Sequence, residues 1–278
     1  MDIWQAIVLG IVEGVTEFLP ISSTGHLTIL EKLFGYQIND PDITAFTAII
    51  QVGAVLATVL FLRRDIIRIG KAWFKGLANG EARKHFDYRY GWAIIIGSIP
   101  IGIIGFLFKD QVETTLRSLW VVAFALILWS GVMWLADTYT KHSRHEKSVN
   151  WKDTLFIGIV QCLALIPGVS RSGATMTAGL YRGFDRVTVT KLSFFLSIPA
   201  LCAAAVLQTA TEYDNIAHGV GWPATITATV VSFITAYIAV SWLLKFIANH
   251  SYLVFIIYRL ILGSVLIALL ATGAIAAV

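Results

Sequence analysis

Long apolar runs dominate this chain, and they are of two kinds. Residues 43–62, 91–108 and 119–136, and later 190–210, 223–244 and 253–276, are mostly apolar and contain no polar turn. Runs of about 20 apolar residues match a bilayer core of roughly 30 Å. The runs at 3–34 and 153–182 are broken by a polar turn containing proline, serine and glycine. Their halves are short. Residues 24–34 as a helix reach only about 16 Å, so each pair is expected to enter the membrane and return to the same side. Irregular backbone at that depth is tolerated only inside protein or beside a water-filled cavity.

The two broken runs repeat one another. Residues 10–27 read GIVEGVTEFLPISSTGHL and residues 158–175 read GIVQCLALIPGVSRSGAT. Gly10, Ile11, Val12, Ser22 and Gly25 fall on Gly158, Ile159, Val160, Ser170 and Gly173. Glu13 falls on Gln161, and Pro20 lies one place from Pro167. Three spans follow each copy. Three crossings are an odd number and a returning hairpin adds none, so the second unit starts on the opposite side. The predicted fold is an all-α integral membrane protein, one membrane domain over residues 1–278. It has six transmembrane helices plus two re-entrant helix hairpins in an inverted-topology repeat, with halves at about 1–136 and 149–278. In such folds the site lies near the midplane, between the broken helices.

Composition agrees. Of 278 residues 57% are hydrophobic and 14% charged, and mean hydropathy is +0.75; soluble domains carry roughly 25% charged residues. No cleavable leader is expected, because Met1-Asp2-Ile3-Trp4 lacks a basic start and the first apolar run holds Glu13 and Glu17. Trp92, Trp120, Trp151 and Trp222 sit near span starts, as interfacial aromatics do. Pro100 and Pro199 either bend their helices or serve packing. Cys162 and Cys202 are read as buried free thiols, without metal-ligand spacing.

Loop charge sets the orientation. Most of the 21 lysines and arginines fall on one side. Arg63, Arg64, Arg68, Lys71, Lys75, Arg83, Lys84 and Arg89 lie in the 63–90 connection, Lys141, Arg144, Lys147 and Lys152 in the 137–152 connection, and Arg182, Arg186, Lys191 and Lys245 beside them. The other side has Lys32, Lys109 and Arg117 with the acidic Glu212-Tyr213-Asp214 loop. The basic side is expected in the cytoplasm, with both termini outside. Orientation and anionic-lipid contact account for these charges, so no nucleic-acid partner is called for.

Polar residues within the apolar runs are the candidate chemistry, because an ionisable group at membrane depth is costly. Glu13 and Glu17, at i and i+4, share a helix face. They split their pKa values, share a hard cation such as Mg²⁺ or Ca²⁺, or reach headgroups if the helix lies shallow. Ser22, Ser23, Thr24, Gly25 and His26 follow. Ser and Thr there are either plain helix caps or part of a site in which His26 takes a proton from Ser23. In the second turn Gly168 and Gly173 let backbone approach a ligand, and Ser170, Ser172 and Thr175 offer hydroxyls. Arg171 suits a phosphate or carboxylate, or pairs with Glu13 or Glu17. Two helix N-termini, an arginine and clustered donors describe an anion site, and the carboxylates suggest a metal bridging to phosphate oxygens. Gln51 serves helix contact or the site. Tyr258-Arg259 snorkels to the surface or lines a cavity.

These residues resemble a known family. Glu13-Gly14-Val15-Thr16-Glu17 is similar to the (E/Q)xxxE motif, and residues 167–175 to the PGxSRSxxT motif, of the bacterial undecaprenyl-diphosphate phosphatases of the bacitracin-resistance type. Leu19-Pro20-Ile21-Ser22-Ser23-Thr24-Gly25-His26 also resembles that family's signature. The resemblance covers essentially the whole chain. It implies removal of the terminal phosphate of undecaprenyl diphosphate, recycling the lipid carrier of cell-wall synthesis. It also implies a divalent cation (Mg or Ca), a bacterial plasma-membrane location and a site open to the outer face. Glu13 and Glu17 would be the essential carboxylates and metal ligands, Ser23 the nucleophile, His26 its base or acid, and Arg171 the phosphate ligand. Ser22, Thr24, Gly25, Gly168, Ser170, Ser172 and Thr175 would bind substrate. A homodimer is a candidate assembly. The rival class is a transporter or flippase for an anionic lipid, which would release no phosphate.

Overall fold

A computed structural model describes residues 1–37, 40–108, 116, 118–211 and 216–277. Lys109, Arg117, Glu212, Tyr213 and Asp214, used above for orientation, lie outside the described residues. Among the described residues there are eleven α-helices and no strand. In order they are α1 (Ile3–Thr16), α2 (Ser23–Leu33), α3 (Pro41–Phe61), α4 (Arg63–Ala78), α5 (Phe86–Leu107) and α6 (Leu119–Tyr139). There follow α7 (Trp151–Gln161), α8 (Arg171–Tyr181), α9 (Arg186–Thr211), α10 (Trp222–Ile247) and α11 (Leu253–Ala271). Six of them, α3, α5, α6, α9, α10 and α11, are long and apolar enough to cross a membrane.

Local chemistry starts several helices where the sequence places its caps. The Asp40 carboxylate accepts from the Asp42 N–H, with Pro41 at the first helical position. Ser118 accepts from the Trp120 N–H, and Asn150 and Asp153 form a reciprocal capping box at α7. Large apolar side chains such as Phe106, Leu128, Ile238 and Ile261 point outward. A soluble protein would bury that much contiguous apolar surface, so this face is read as meeting lipid.

Close approaches bring the short helices into the bundle. α1 packs along α10: a Cβ on Gly10 would lie 2.5 Å from the Ala228 carbonyl oxygen. α7 packs along α5: a Cβ on Gly158 would lie 2.0 Å from the Gly97 carbonyl oxygen. Gly10 and Gly158 are corresponding positions of the two copies, and each is where only glycine fits. The largest core cluster links the hairpins to the spans. Phe18, just past α1, meets Phe194 of α9 edge to face, with centroids 5.2 Å apart.

Two expectations are corrected. The 63–90 connection is not only a charged loop, because residues 63–78 form α4. The reason is visible in retrospect: Ile66, Ile69 and Trp73 recur at helical spacing among the basic residues. Cys202 is exposed rather than buried, and Cys162 is half-buried; both are free thiols.

On the basic side, one carboxylate fastens three segments. Asp153, at the start of α7, is fully buried. It accepts from Arg144 at 3.0 and 2.6 Å and from the Arg182 Nε at 2.8 Å. Burial pushes its pKa up, but the hydrogen bonds from Arg144 and Arg182 outweigh that and hold it below the usual aspartate range.

Removing that charge strands two arginines, so Asp153→Asn is expected to cost about 3 kcal/mol in unfolding in detergent at neutral pH. A depressed carboxyl pKa contributes stability above the ordinary aspartate value and loses it as pH falls through the folded value. The gap between wild type and variant in thermal midpoint should therefore be full at neutral pH and close in acid. A gap that is constant with pH would show that the charge is not its source.

Candidate active site

Helix α1 ends at Thr16, and Glu17 begins a turn that runs to Ser22. α7 ends at Gln161, and a short 3₁₀ turn at Cys162–Leu165 leads to Pro167. The second half of each hairpin then starts in the same way. Ser22 and Ser170 have φ of 74° and 75°, the left-handed region that non-glycine residues rarely enter. Each serine caps the helix that follows: Ser22 Oγ accepts from the Gly25 N–H at 3.3 Å, and Ser170 Oγ from the Gly173 N–H at 3.1 Å. The cap bonds help to offset the backbone strain, about 1–3 kcal/mol for such a residue. Gly168, at φ 100°, has no such option; a Cβ there would sit 2.6 Å from the Val122 carbonyl oxygen. The serines at 22 and 170 are thus helix caps, as one sequence reading had it for the first turn. Ser22 does more, since its Oγ also accepts from the Gly168 N–H at 3.2 Å and so joins the two turns.

The turns face one cavity of about 150 Å³. From the first hairpin Glu17, Ser22, Ser23 and Thr24 line it; from the second, Pro167, Gly168, Ser170 and Arg171. Gln51 of α3 and Ile101 of α5 complete its wall. The starts of α2 and α8 both reach it, so two positive helix ends contribute to the field inside. Glu17 is the centre. Its Oε1 pairs with Arg171 Nη2, its Oε2 accepts from the Ser23 hydroxyl, and its backbone oxygen accepts from Ser172 Oγ at 3.3 Å. Glu17 is only 6% exposed and Glu13 is fully buried, so neither reaches out to headgroups.

Two sets of polar atoms are left over. Both carboxylate oxygens of Glu13 are buried and accept from no protein group, and the buried Arg171 Nε donates to none. An unsatisfied buried donor or acceptor is costly, and such atoms mark places where a ligand completes the set. Arg171 retains a donor for an anion, and Glu13 retains acceptors for a cation. Among the described residues no three His, Cys, Asp or Glu side chains are arranged to hold a metal. The carboxylate with unpaired oxygens is Glu13, one helical turn behind the cavity wall, while both Glu17 oxygens are taken by Arg171 and Ser23; a hard ion that takes one or two carboxylates would use Glu13, and Glu17 once Arg171 leaves it.

Other residues singled out in the sequence stand elsewhere. His26 does not meet Ser23. Its Nδ1 lies 2.7 Å from the Ser22 carbonyl oxygen and its Nε2 2.6 Å from the Tyr258 hydroxyl, with the two rings stacked. A carbonyl only accepts, so Nδ1 carries the proton and, in the neutral ring, Nε2 accepts from Tyr258. Thr175 Oγ1 is 2.6 Å from Ser193 Oγ and does not face the cavity. Neither do Gly25, Gly173 and Ser172.

Arg259 is the residue that the sequence reading misplaced. It does not snorkel: it is fully buried and its guanidinium lies between the two turns. Nη1 donates to Pro20 O at 3.2 Å and Val169 O at 3.1 Å. Nη2 donates to Gly168 O at 2.9 Å, and Nε to Ser130 Oγ at 3.1 Å. A carbonyl buried away from water needs a donor, and here one side chain serves both turns. The only hint in the sequence was a lone arginine well inside an apolar span, a position that usually has a specific partner.

Comparison with known proteins gives a consistent result. A family model described as Bacitracin resistance protein BacA matches residues 6–265. The chain is 68% identical over 277 residues to Undecaprenyl-diphosphatase 3 of Frankia casuarinae, covering 100% of each. It is 54% identical over 284 residues to an Undecaprenyl-diphosphatase of Cutibacterium acnes, again covering 100% of each. Against Undecaprenyl-diphosphatase 1 of Streptomyces avermitilis it is 49% identical over 274 residues, 98% of each.

Arg259→Met leaves three turn carbonyls without a donor, and a loss of about 3–5 kcal/mol is expected in unfolding in detergent. Arg259→Lys keeps the charge but not the planar fork, so it should recover only part of that loss. Equal stability of Arg259→Met and wild type would show that the turns do not need this donor.

Proposed function

The chain belongs to the bacitracin resistance protein BacA family, and we propose that it is an undecaprenyl-diphosphatase of the membrane. It removes the terminal phosphate of undecaprenyl diphosphate, giving undecaprenyl phosphate and inorganic phosphate. The observation that carries the site assignment is the convergence of Ser23 and Arg171 on one carboxylate, Glu17, at the wall of a polar cavity.

The chemistry follows from the groups around that carboxylate. The terminal phosphate enters between the starts of α2 and α8 and takes Arg171 from Glu17, using the unpaired Nε as well. Glu17, no longer paired with Arg171, takes the proton of the Ser23 hydroxyl through the oxygen that already accepts from it. Ser23 Oγ forms a bond to the terminal phosphorus while the bridging P–O bond breaks, and the lipid monophosphate leaves. Water then cleaves the Ser23–phosphorus bond, releasing inorganic phosphate and returning the hydroxyl. Arg171, the two helix starts and the hydroxyls of Thr24 and Ser170 stabilise the charge on the phosphate oxygens. Glu13 and Glu17 would hold a divalent cation (Mg or Ca), which neutralises the diphosphate and orients it. His26, tied to Ser22 and Tyr258, positions the first turn rather than serving Ser23. Ser172 and Thr175 brace the second hairpin against Glu17 and Ser193.

We read the two hairpins as re-entrant and the chain as an inverted repeat. α1 is about 21 Å long and α8 about 16 Å, short of the bilayer core. Matching roles at Gly10 and Gly158, and at Ser22 and Ser170, support the duplication. The cavity opens toward the outer face of the bacterial plasma membrane. Ile101 lies in the half of α5 away from the basic loops, while the Asp153 ion pairs close the basic side. The isoprenoid tail lies against the apolar helices and only the diphosphate enters.

Phosphate release from a long-chain isoprenyl diphosphate by the purified protein tests this. Ser23→Ala, Glu17→Gln and Arg171→Ala should each lower turnover by at least about 10²-fold. Near-normal release by Ser23→Ala would make water the nucleophile. A chelator should abolish release from the wild type and added Mg²⁺ or Ca²⁺ restore it; release unaffected by chelation would remove the cation from the scheme.

A further inference from the structure

Helix α4 has an apolar face that no other part of the described chain covers. It is held to α5 by its buried side: Ile69 and Gly76 are buried, and a Cβ on Gly76 would run into the Tyr88 ring at 2.2 Å. Around the helix from there, Ile67, Phe74 and Leu77 are 53%, 68% and 45% exposed. At about 100° per residue, Arg64, Lys71 and Lys75 form the next strip. These three have no ion pair with a carboxylate among the described residues, whereas two nearby cations do. Arg68 pairs with Asp65 and Asp87, and Lys191 with Asp65 and Glu146. The strip of unneutralised positive charge therefore runs beside the exposed apolar face.

On the other flank of that face a groove of about 240 Å³ runs between α4, α5 and α9. Its walls are almost wholly apolar: Ile66, Trp73, Ile94, Phe195, Ile198 and Pro199, with Gly70 open beside them. Trp73 is the exception. Its indole N–H is buried and donates to nothing in the protein.

We propose that this groove is a binding site for an anionic phospholipid of the leaflet on the basic side. One acyl chain lies along Ile94, Phe195 and Ile198. The lipid crosses the exposed Ile67 and Phe74 face of α4, so that its headgroup meets the Arg64–Lys71–Lys75 strip. α4 is then a helix lying in the membrane interface, with Ile67 and Phe74 dipping below the headgroups. The charge selects the lipid: zwitterionic lipid offers the same chain but no net negative charge. The site is separate from the polar cavity and stands whether or not the catalytic reading does.

The test uses the full chain, purified and exposed to mixed micelles of phosphatidylglycerol and phosphatidylcholine, with retained lipid counted by native mass spectrometry. Wild type should retain phosphatidylglycerol over phosphatidylcholine by about tenfold. Gly70→Leu fills the groove without a clash, because a Cβ there meets nothing within 4 Å, and retention of both lipids should fall several-fold. The combined variant Arg64→Gln, Lys71→Gln, Lys75→Gln should still retain lipid but lose the preference. Quenching of tryptophan fluorescence by phosphatidylglycerol with brominated acyl chains should drop in Trp73→Phe. Phosphate release in detergent is the control for folding and should not change in these variants. Equal retention of the two lipids by wild type, or unchanged retention in Gly70→Leu, would overturn the proposal.

Discussion

A buried guanidinium holds this molecule's two interrupted helices together. Backbone that leaves the helix inside a packed core buries carbonyls away from water, and each needs a donor. Arg259 supplies them to Pro20, Gly168 and Val169 at once. A fixed planar fork can reach two turns simultaneously, which a lysine ammonium cannot do with the same geometry. The bond from the Gly168 N–H to Ser22 Oγ closes the same junction from the other side. With both turns joined, residues far apart in the chain, Glu17 and Arg171 among them, share one wall.

That junction also explains the strained serines. Ser22 and Ser170 take a backbone conformation that costs free energy in a non-glycine residue, and each is held there by the cap it makes. The conformation turns the chain sharply enough for a new helix to begin at the cavity. Each helix start brings unpaired N–H groups and a partial positive charge, so the geometry that satisfies the backbone also prepares an anion site. Glu17 and Arg171 hold each other in the absence of substrate. A diphosphate has the charge to compete for that arginine, and in our reading it thereby frees the base.

The two sides of the protein are built differently. Away from the basic loops, polar atoms line a cavity and some have no protein partner. On the basic side, charges are paired among themselves, with Asp153 gripped by Arg144 and Arg182, and Asp137 receiving Arg186 Nε at 2.6 Å. The first arrangement invites a ligand; the second ties segments together. Among the described residues the α4 strip is one place on that side where positive charge has no acidic partner, and it lies against the apolar surface where lipid would be.

Much of this was legible in the residues themselves. Apolar runs of bilayer length, the two broken copies and the charge asymmetry determined the all-α membrane class and the six long helices, because span length and loop charge are local properties of a chain. The polar residues of the broken runs marked the candidate site, because such residues are too costly at membrane depth to lack a role. Pairing, however, was decided by the tertiary structure. Sequence proximity suggested His26 for Ser23, but the turn at Ser22 sends His26 to Tyr258 and Ser23 to Glu17. Arg259 was read as reaching the surface or lining a cavity, because nothing near it in sequence reveals two turns converging on it from 90 or more residues away. The basic run at 63–78 hid a helix because charge density drew attention from the apolar spacing within it. Hydrophobic pattern reports how each segment meets the bilayer, but which polar atom meets which is set only when distant turns are brought within hydrogen-bonding reach.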